Sequence, residues 1–502
     1  MSRSPNEEHA AHAPRVSLST MISNTFSRSR STDDAEPTME TEKQQQQQQP
    51  LSPADDIEAR RRVAAPESLL QRYFANPKFL LPLIAVVFLF AAHFNDFLAK
   101  RADVDLADAY EWFRPRSLPV TLDAAITERV NRILTSSPLI DTHIDLPILA
   151  REVFQNHIYA DNFSTPFASG GLYGHVDIPR LKSGKIGGIF WSVFTACPDP
   201  AADPEEQFQD AVYFESIHDT IQQIDVMKRI VRAHPNDLTF AFSADEFERA
   251  FTASGGKKVA SVLGIEGLHQ IGNSPAAIRL FYEVGVRYIT LTHNCNNLFA
   301  DGAVVKAPHW GGLNPSLGPS LIREFNRLGM LVDLSHVSAA TMRDVLSITL
   351  APVLFSHSSA YNLTHHPRNV PDDVLDAVKH NDGVVQVNFA PDFVTQSADG
   401  SATLADVADH VMYIGERIGW DHVGFGSDYD GIGSTPVGLE DISKYPDLVA
   451  ELLRRGVKDE DVKKATGANV LRVWRAAEAV AARLQGSGLA ELEDDVPKRR
   501  KW

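Results

Sequence analysis

Side chains that can bind a metal ion occur at the ends of several short apolar runs of this 502-residue chain. His143 and Asp145 stand two residues apart near the end of one run, and residues two apart in an extended strand face the same side. Alone, this His-x-Asp pair is weak evidence, because such pairs are more often only hydrogen-bonded or solvated. Glu266 ends a second run, and a buried carboxylate needs a cation or hydrogen-bond donors to offset its desolvation.

Two further apolar runs, which end at His336 and His357, would complete a site for two ions. We expect His143, Asp145 and Glu266 to hold the first ion. We expect Glu266 to bridge it to a second ion held by His336 and His357. Imidazole with carboxylate suits zinc, although manganese or iron would also fit. Two Zn²⁺ per chain, about 3.5–4 Å apart, would share a bridging hydroxide that attacks an amide carbonyl.

Two more polar residues end apolar runs without being needed as ligands. Asp428 suits a general base that takes a proton from water and returns it to the leaving amine. His293 suits a donor that polarises the scissile carbonyl or holds the oxyanion. Asp141 and Asp333 precede strand-end histidines and are candidates for orienting an imidazole. Each of these residues, taken singly, is more often structural than catalytic.

The apolar runs alternate with helical stretches such as 321–328 and 407–414, which predicts a parallel α/β sheet. In a (β/α)8 TIM barrel the functional residues gather at the C-terminal ends of the strands, whereas an open doubly wound sheet concentrates them near one switch point. Most of the candidate strands end at such a residue, so we predict a TIM barrel, with a further run at 238–242 peripheral to it. The candidate strands are 138–142, 186–194, 259–265, 286–292, 330–335, 351–356, 383–388 and 422–427.

The N-terminal part of the chain is predicted to lie outside this barrel. Residues 1–65 contain a glutamine run and few apolar residues, which indicates a disordered cytosolic tail. Residues 78–99 are apolar enough for a transmembrane signal anchor, with a buried core helix as the alternative. Basic residues precede this segment, whereas Lys100 and Arg101 are mixed with acidic residues after it. The positive-inside rule therefore predicts a single-pass type II membrane protein with a lumenal or extracellular catalytic domain.

Charge and cysteine content narrow the classes of protein. The formal net charge of −17 argues against a nucleic-acid partner, which would need clustered lysine and arginine. The only two cysteines are Cys197 and Cys295, too few for a zinc finger or a disulfide scaffold. From spacing alone two buried thiols are favoured, because a single disulfide requires an oxidising compartment.

At these residues the chain resembles the membrane dipeptidase (renal dipeptidase) family of zinc metallopeptidases, a branch of the amidohydrolase-like barrels. The resemblance extends from about residue 120 to about residue 480, which is most of the chain after the predicted anchor. The motifs that carry it are Asp141–Pro147, Gly188–Val193, Gly264–Gly267, Tyr288–Cys295, Asp333–Ser338, Phe355–Tyr361, Arg368–Asp373 and Gly424–Gly431.

The resemblance implies the five zinc ligands given above and an acid/base role for Asp428, which would also contact the substrate. It makes His293 a substrate-binding residue. It makes Arg368 the anchor for the terminal carboxylate of a dipeptide, a group that arginine can bind with two hydrogen bonds. The implied function is zinc-dependent hydrolysis of dipeptides by a metal-bridged hydroxide.

The resemblance also concerns the cysteines and the domain limits. Cys197 and Cys295 fall where the family forms an intrachain disulfide. The metallodipeptidase barrel would occupy 120–485 and be followed by a flexible tail, 486–502. Because no third cysteine is present, a homodimer would have to be non-covalent.

Two alternatives to dipeptide hydrolysis stay open. The same dinuclear barrel could act on cysteinyl-glycine conjugates, N-acyl amino acids or β-lactam-like amides, because the segments near the substrate side chain differ from the animal pattern. A membrane-tethered binding module without catalysis is a more remote alternative, against which the intact ligand set argues.

Overall fold

The computed structural model describes residues 120–199, 206–397 and 400–494. Within these ranges one parallel sheet of nine strands forms, and all eight candidate strands are confirmed. The strands are β1 (Leu139–Ile144), β2 (Ile186–Val193), β3 (Leu238–Phe240), β4 (Val259–Glu266), β5 (Val286–Thr290), β6 (Leu331–Asp333), β7 (Leu354–Phe355), β8 (Val384–Val387) and β9 (Val423–Phe425).

Eight of the described strands follow one another around a barrel in the order β1-β2-β4-β5-β6-β7-β8-β9. The barrel closes between β9 and β1, where Ile144 and Tyr429 form a parallel bridge. The Asp428 N–H donates to the carbonyl oxygen of His143 at 3.0 Å, and the Asp145 N–H donates to that of Tyr429 at 2.8 Å. These bonds bring the candidate site residues of the first and last strands together. The predicted TIM barrel is therefore confirmed.

Strand β3 is the run at 238–242 that was predicted to be peripheral, and it lies off the barrel path. It pairs only with the beginning of β4, where Leu238 is opposite Val259. Pairing between β4 and β5 begins further along, at Leu263 and Val286. Strand β3 therefore extends the sheet on one side without contributing to the ring.

The helices cover the outside of the barrel through apolar faces. In the stretch predicted at 407–414, Val407, Val411 and Ile414 are buried at helical spacing, and Thr403 and Asp406 form a capping box at its start. The α-helices are α1 (Val120–Ser136), α2 (Leu146–Phe154), α3 (Asp161–Ser169), α4 (Ile178–Ser183), α5 (Phe214–Ala233), α6 (Ala244–Ser254), α7 (Pro275–Glu283), α8 (Gly318–Leu328), α9 (Ala339–Ile348), α10 (Asp372–Asn381), α11 (Pro391–Val394), α12 (Leu404–Ile418), α13 (Tyr445–Arg454), α14 (Asp459–Lys463) and α15 (Asn469–Gly486).

Helix α15 closes the end of the barrel at which the strands begin. Its Trp474 is fully buried and contacts the Phe190 ring edge-on, with 5.7 Å between the ring centroids. Ile140 and Leu331, which lie near the start of their strands, belong to the same apolar cluster. Because this end is packed, a substrate can approach only from the opposite end, where the strands finish.

The two cysteines form a disulfide that joins the segment after β2 to the segment after β5, with Cα atoms of Cys197 and Cys295 6.0 Å apart. The pairing that the resemblance implies is confirmed, and the two free thiols favoured from spacing alone are wrong. Spacing misled because 98 residues separate cysteines that the barrel brings side by side.

The predicted cytosolic tail of 1–65 and the predicted anchor of 78–99 lie outside the described residues. In the part of the chain that the structure describes, no helix is both long and apolar enough to cross a membrane. Helix α15 ends at Gly486, where the tail was predicted to begin, and residues 487–494 follow it as a turn and an irregular segment.

Packing around Gly188 provides a test of the barrel. A Cβ atom at this residue of β2 would overlap the ring of Phe247, whereas one at Gly486, the last residue of α15, would meet no atom within 4 Å. We expect Gly188→Ala to lower the free energy of unfolding by about 1–3 kcal/mol or more, because an overpacked core must shift. Gly486→Ala should leave it unchanged or raise it by up to about 1 kcal/mol. Urea unfolding at fixed metal content measures both values, and equal effects would contradict the described packing.

Candidate active site

Glu266 lies at the centre of the predicted metal ligands, at the mouth where the strands end. Its Oε1 atom is 2.8 Å from His336 Nε2, 3.3 Å from His357 Nε2 and 3.5 Å from His143 Nε2. Asp145 Oδ2 is 3.3 Å from the same nitrogen of His143. All five side chains are buried. The structure therefore brings together the five residues that the sequence predicts as ligands.

Hydrogen bonds on the far side of two imidazoles fix where their protons are. The Ser356 hydroxyl donates to Asp333 at 2.6 Å, so it accepts from His357 Nδ1 at 2.8 Å. His336 Nδ1 donates to Asn294 Oδ1 at 3.0 Å. Both Nε2 atoms therefore carry a lone pair, yet they lie only 2.9 Å apart. Two lone pairs at this distance repel each other unless a cation lies beside them.

Other ligand atoms lack hydrogen-bond partners among the described residues. His143 Nε2 and both carboxylate oxygens of Asp145 are buried in this way. Burying such groups is costly unless a cation or a donor compensates them. The candidate ligand atoms form groups within 4.8 Å of one another, such as His143 with Glu266 and His357. The donor set and its geometry fit a pair of metal ions.

The electrostatics of the cluster also suit cation binding. Burial lowers the pKa of His336 and of His357 well below the ordinary value, so both imidazoles are neutral. Burial would do the same to His143, but the carboxylates of Asp145 and Glu266 outweigh it and raise the pKa of His143 well above its ordinary value. Burial favours the neutral form of Glu266, yet its histidine neighbours hold its pKa well below the usual range. The neutral imidazoles of His336 and His357 therefore offer lone pairs beside the ionised carboxylate of Glu266.

Asp428 stands beside this cluster in a strained backbone conformation. Its φ is +68°, which non-glycine residues rarely adopt. Its Oδ1 is 4.0 Å from His143 Nε2, and its Oδ2 accepts a hydrogen bond from Asn388 Nδ2 at 3.0 Å. A Cβ atom at Gly431 would lie 2.6 Å from Asp428 Oδ1, so a glycine is needed there. Burial, with the nearby carboxylate of Asp145, raises the pKa of Asp428 well above its ordinary value.

His293 adjoins the cluster at the end of β5. Its ring centroid is 4.4 Å from that of His336, and its Nδ1 is 3.9 Å from Cys197 Sγ of the disulfide. Burial lowers the pKa of His293 to about 3, so the imidazole is neutral and one ring nitrogen carries a proton. A neutral imidazole can donate that proton in a hydrogen bond to a carbonyl oxygen.

Arg368 is buried with no partner for its charged group among the described residues. It is only 2% exposed, and its three guanidinium nitrogens make no hydrogen bond. Burial lowers the pKa of Arg368 to about 10, partly offset by the carboxylates of Asp428 and Glu266, so it stays charged at neutral pH. Its guanidinium lies 5.3 Å from the centre of the Phe393 ring. An anionic ligand would satisfy this group.

A cavity of about 400 Å³ opens onto the cluster. The predicted site residues Asp145, Glu266, His293, His336 and Asp428 line it, and Arg368 is not among its lining residues. Its size suits a small molecule. Apolar side chains form another part of the wall, namely Ile148, Leu149 and Phe194.

Sequence reasoning missed the residues that orient the imidazoles. The Tyr288 hydroxyl lies 2.8 Å from His143 Nδ1, and the Asn294 amide oxygen lies 3.0 Å from His336 Nδ1. Asp333 helps to orient an imidazole as expected, although it does so through the Ser356 hydroxyl, which contacts His357 Nδ1. Asp141 does not orient an imidazole. It accepts hydrogen bonds from the backbone N–H of His143 and from Ser427 and Tyr445. The motif Tyr288–Cys295 includes both Tyr288 and Asn294, but a tyrosine in a strand is so common a core residue that the motif did not mark Tyr288 as the partner of an imidazole.

A closed parallel barrel with a buried cluster of histidines and carboxylates at its C-terminal mouth defines a class, the metal-dependent hydrolases. The chain belongs to the membrane dipeptidase family (peptidase family M19), whose family model matches residues 127–488. It is a metallodipeptidase, a hydrolase that acts on peptide bonds. This result excludes the binding module without catalysis.

The relatives agree with this assignment. Dipeptidase aclJ of Aspergillus oryzae is 47% identical over 367 residues, 73% of this chain and 84% of that protein. Dipeptidase tcpJ of Claviceps purpurea is 49% identical over 327 residues, 65% of this chain and 75% of that protein. A metallopeptidase from Rhodobacter sphaeroides, solved with a phosphinate mimic of the dipeptide L-Ala-D-Ala, is similar in fold, with a TM-score of 0.59 and 24% identity. The match covers 68% of this chain and 99% of that one.

The hydrogen bond between His143 Nδ1 and the Tyr288 hydroxyl predicts a role for Tyr288 in metal affinity. We expect Tyr288→Phe to weaken binding of divalent cations about 10- to 100-fold, because the ring of His143 loses the partner that fixes its orientation. Competition with a chromophoric chelator measures the affinity. Tyr445→Phe is the matched control, because it removes a buried hydroxyl that bonds to Asp141 and not to an imidazole. Equal losses of affinity in the two variants would contradict the role of Tyr288.

Proposed function

We propose that this chain hydrolyses dipeptides at a site that holds two zinc ions. The observation that carries the proposal is the meeting of three imidazole nitrogens around one carboxylate oxygen of Glu266. His143, Asp145 and Glu266 would hold one ion, and Glu266 with two further histidines the other. The ions would polarise the scissile carbonyl and lower the pKa of the attacking water.

Asp428 would move the proton. Its carboxylate lies at the edge of the cluster and lines the cavity, so it can reach both the attacking water and the leaving nitrogen. Its raised pKa suits a group that accepts a proton and then returns it to the leaving amine. The hydrogen bond from Asn388 holds one carboxylate oxygen and leaves the other free for this transfer.

His293 and Arg368 would position the substrate. The neutral imidazole of His293 lines the cavity beside His336 and can donate to the carbonyl oxygen as negative charge develops there. Arg368 would bind the terminal carboxylate, for which its unpaired guanidinium and its charge are suited. The distance between the metal-binding cluster, where the amide is cleaved, and the Arg368 guanidinium, which binds the carboxylate, would then limit the length of the substrate.

Substrate identity within this class stays open between plain dipeptides and the alternatives of cysteinyl-glycine conjugates, N-acyl amino acids and β-lactam-like amides. The relatives that are named dipeptidases favour the first. The apolar wall formed by Ile148, Leu149 and Phe194 would accept a bulky side chain on any of these substrates.

We also propose that residues 78–99 anchor the chain as a type II membrane protein with the barrel lumenal or extracellular. The disulfide between Cys197 and Cys295 supports this location, because such bonds persist in oxidising compartments. A non-covalent homodimer stays a prediction.

Removal of the metal tests the proposed chemistry directly. The purified full chain should contain about two zinc ions and cleave alanylglycine, as two ions are the smallest set that satisfies the clustered ligands. Dialysis against a chelator should abolish cleavage, and added zinc should restore it. Elemental analysis and an assay of released glycine measure both quantities. Undiminished cleavage by protein that is shown to be free of metal would contradict the proposal.

The role of Arg368 is tested with a substrate that lacks the carboxylate. We expect Arg368→Met to lower kcat/KM for alanylglycine about 100-fold or more, because a buried charge pair is lost. For alanylglycinamide the same substitution should have little effect. Arg343→Met is the control, since Arg343 is half-exposed and pairs with Asp373 on the surface. The assignment fails if Arg368→Met impairs both substrates equally.

A further inference from the structure

Asp430 is a buried carboxylate in the wall of the catalytic cavity to which the proposed reaction gives no role. It lies two residues beyond Asp428 and lines the same cavity. Its side chain is 0% exposed, and its Oδ2 atom has no hydrogen-bond partner among the described residues. A buried carboxylate oxygen in this state is costly unless a ligand donates to it.

The other oxygen of Asp430 is used to fix the side chain. Oδ1 accepts a hydrogen bond from the backbone N–H of His175 at 2.6 Å, and the Asp430 N–H donates to His175 Nδ1 at 2.9 Å. Because His175 Nδ1 already accepts the hydrogen bond from the Asp430 N–H, it cannot also donate to Oδ1, although the two atoms are 3.2 Å apart. The backbone of Asp430 has a φ of +67°, so the residue is held in a strained turn. One oxygen is therefore anchored and the other is left free.

The charges around the cavity leave Asp430 without a positive partner. Arg151 lies 2.6 Å from Asp219 and 3.7 Å from Glu152, so its single positive charge is already engaged by these two carboxylates. The carboxylates of Asp145 and Glu266 belong to the histidine cluster, and that of Asp428 would transfer the proton. The carboxylates that line the cavity are Asp145, Glu152, Asp219, Glu266, Asp428 and Asp430.

We propose that Asp430 binds the α-ammonium group of the substrate through its Oδ2 atom. The inference rests on the proposed function, since it takes a dipeptide as the substrate. A dipeptide is a zwitterion, and Arg368 would bind its negative end while Asp430 binds its positive end. The substrate class is then restricted to amides with a free α-amino group, which excludes N-acyl amino acids.

A pair of substrates that differ only in this group tests the proposal. Alanylglycine carries the ammonium group, and N-propionylglycine has the same skeleton without it. We expect the wild-type chain to bind alanylglycine about 10- to 100-fold more tightly, the range of a charge-assisted hydrogen bond. Inhibition constants against a chromogenic dipeptide give the affinity for both compounds. Equal affinity of the wild type for the two compounds would overturn the proposal without any variant.

The variant Asp430→Asn removes the charge and the free acceptor but keeps an oxygen for the His175 N–H. The substitution should weaken the binding of alanylglycine about 10- to 100-fold. It should leave the affinity for N-propionylglycine within about twofold of the wild-type value. A purely structural role would weaken both compounds alike, and that result would overturn the proposal.

Asp219→Asn is the matched control, because Asp219 lines the same cavity but is paired with Arg151. It should not change the ratio of the two affinities, and a change as large as that of Asp430→Asn would also count against the proposal. If the wild-type chain cleaves no dipeptide, the proposed function fails, whereas dissociation constants of the two compounds, measured by calorimetry on the same full chain, still test Asp430.

Discussion

A carboxylate oxygen and the lone pairs of neighbouring imidazoles lie together in a buried cluster, and only positive charge can hold them there. Glu266 is the centre of this arrangement, because its Oε1 lies within 3.5 Å of three histidine nitrogens. Because Glu266 is buried, the arrangement is unfavourable without cations, and the binding of cations stabilises it. The barrel provides the rigid frame that keeps these groups together against their repulsion.

Three residues other than glycine have a left-handed backbone conformation where the chemistry is proposed. His336, Asp428 and Asp430 all have positive φ values, between +65° and +68°. Such conformations cost on the order of 1–3 kcal/mol each and persist only where the surroundings fix them. The closure between β9 and β1 does so for the last two, through bonds from Asp428 and Asp145 to the opposite strand. A strand end that leaves the sheet in a left-handed turn directs its side chain into the mouth of the barrel.

Much of the fold and of the ligand set could be predicted because each is encoded locally. An apolar run that ends in a polar residue, such as Glu266 after β4, marks both a buried strand and the mouth at which it finishes. The partners of the ligands could not be predicted in this way. Tyr288 meets His143 across the barrel interior, and its position in the sequence gives no sign of that contact. The disulfide followed from family resemblance and not from spacing.

The sequence by itself determined the strands, the barrel and the identity of the strand-end residues, because strand periodicity and the burial of apolar runs act over a few neighbouring residues. Only the tertiary structure decided which nitrogen of His336 and His357 is free, since that depends on whether Asn294 or Ser356 lies opposite. It likewise decided that Asp430 keeps an unpartnered oxygen. Hydrogen bonds and charges act between atoms that meet in space, and the chain order does not specify those meetings.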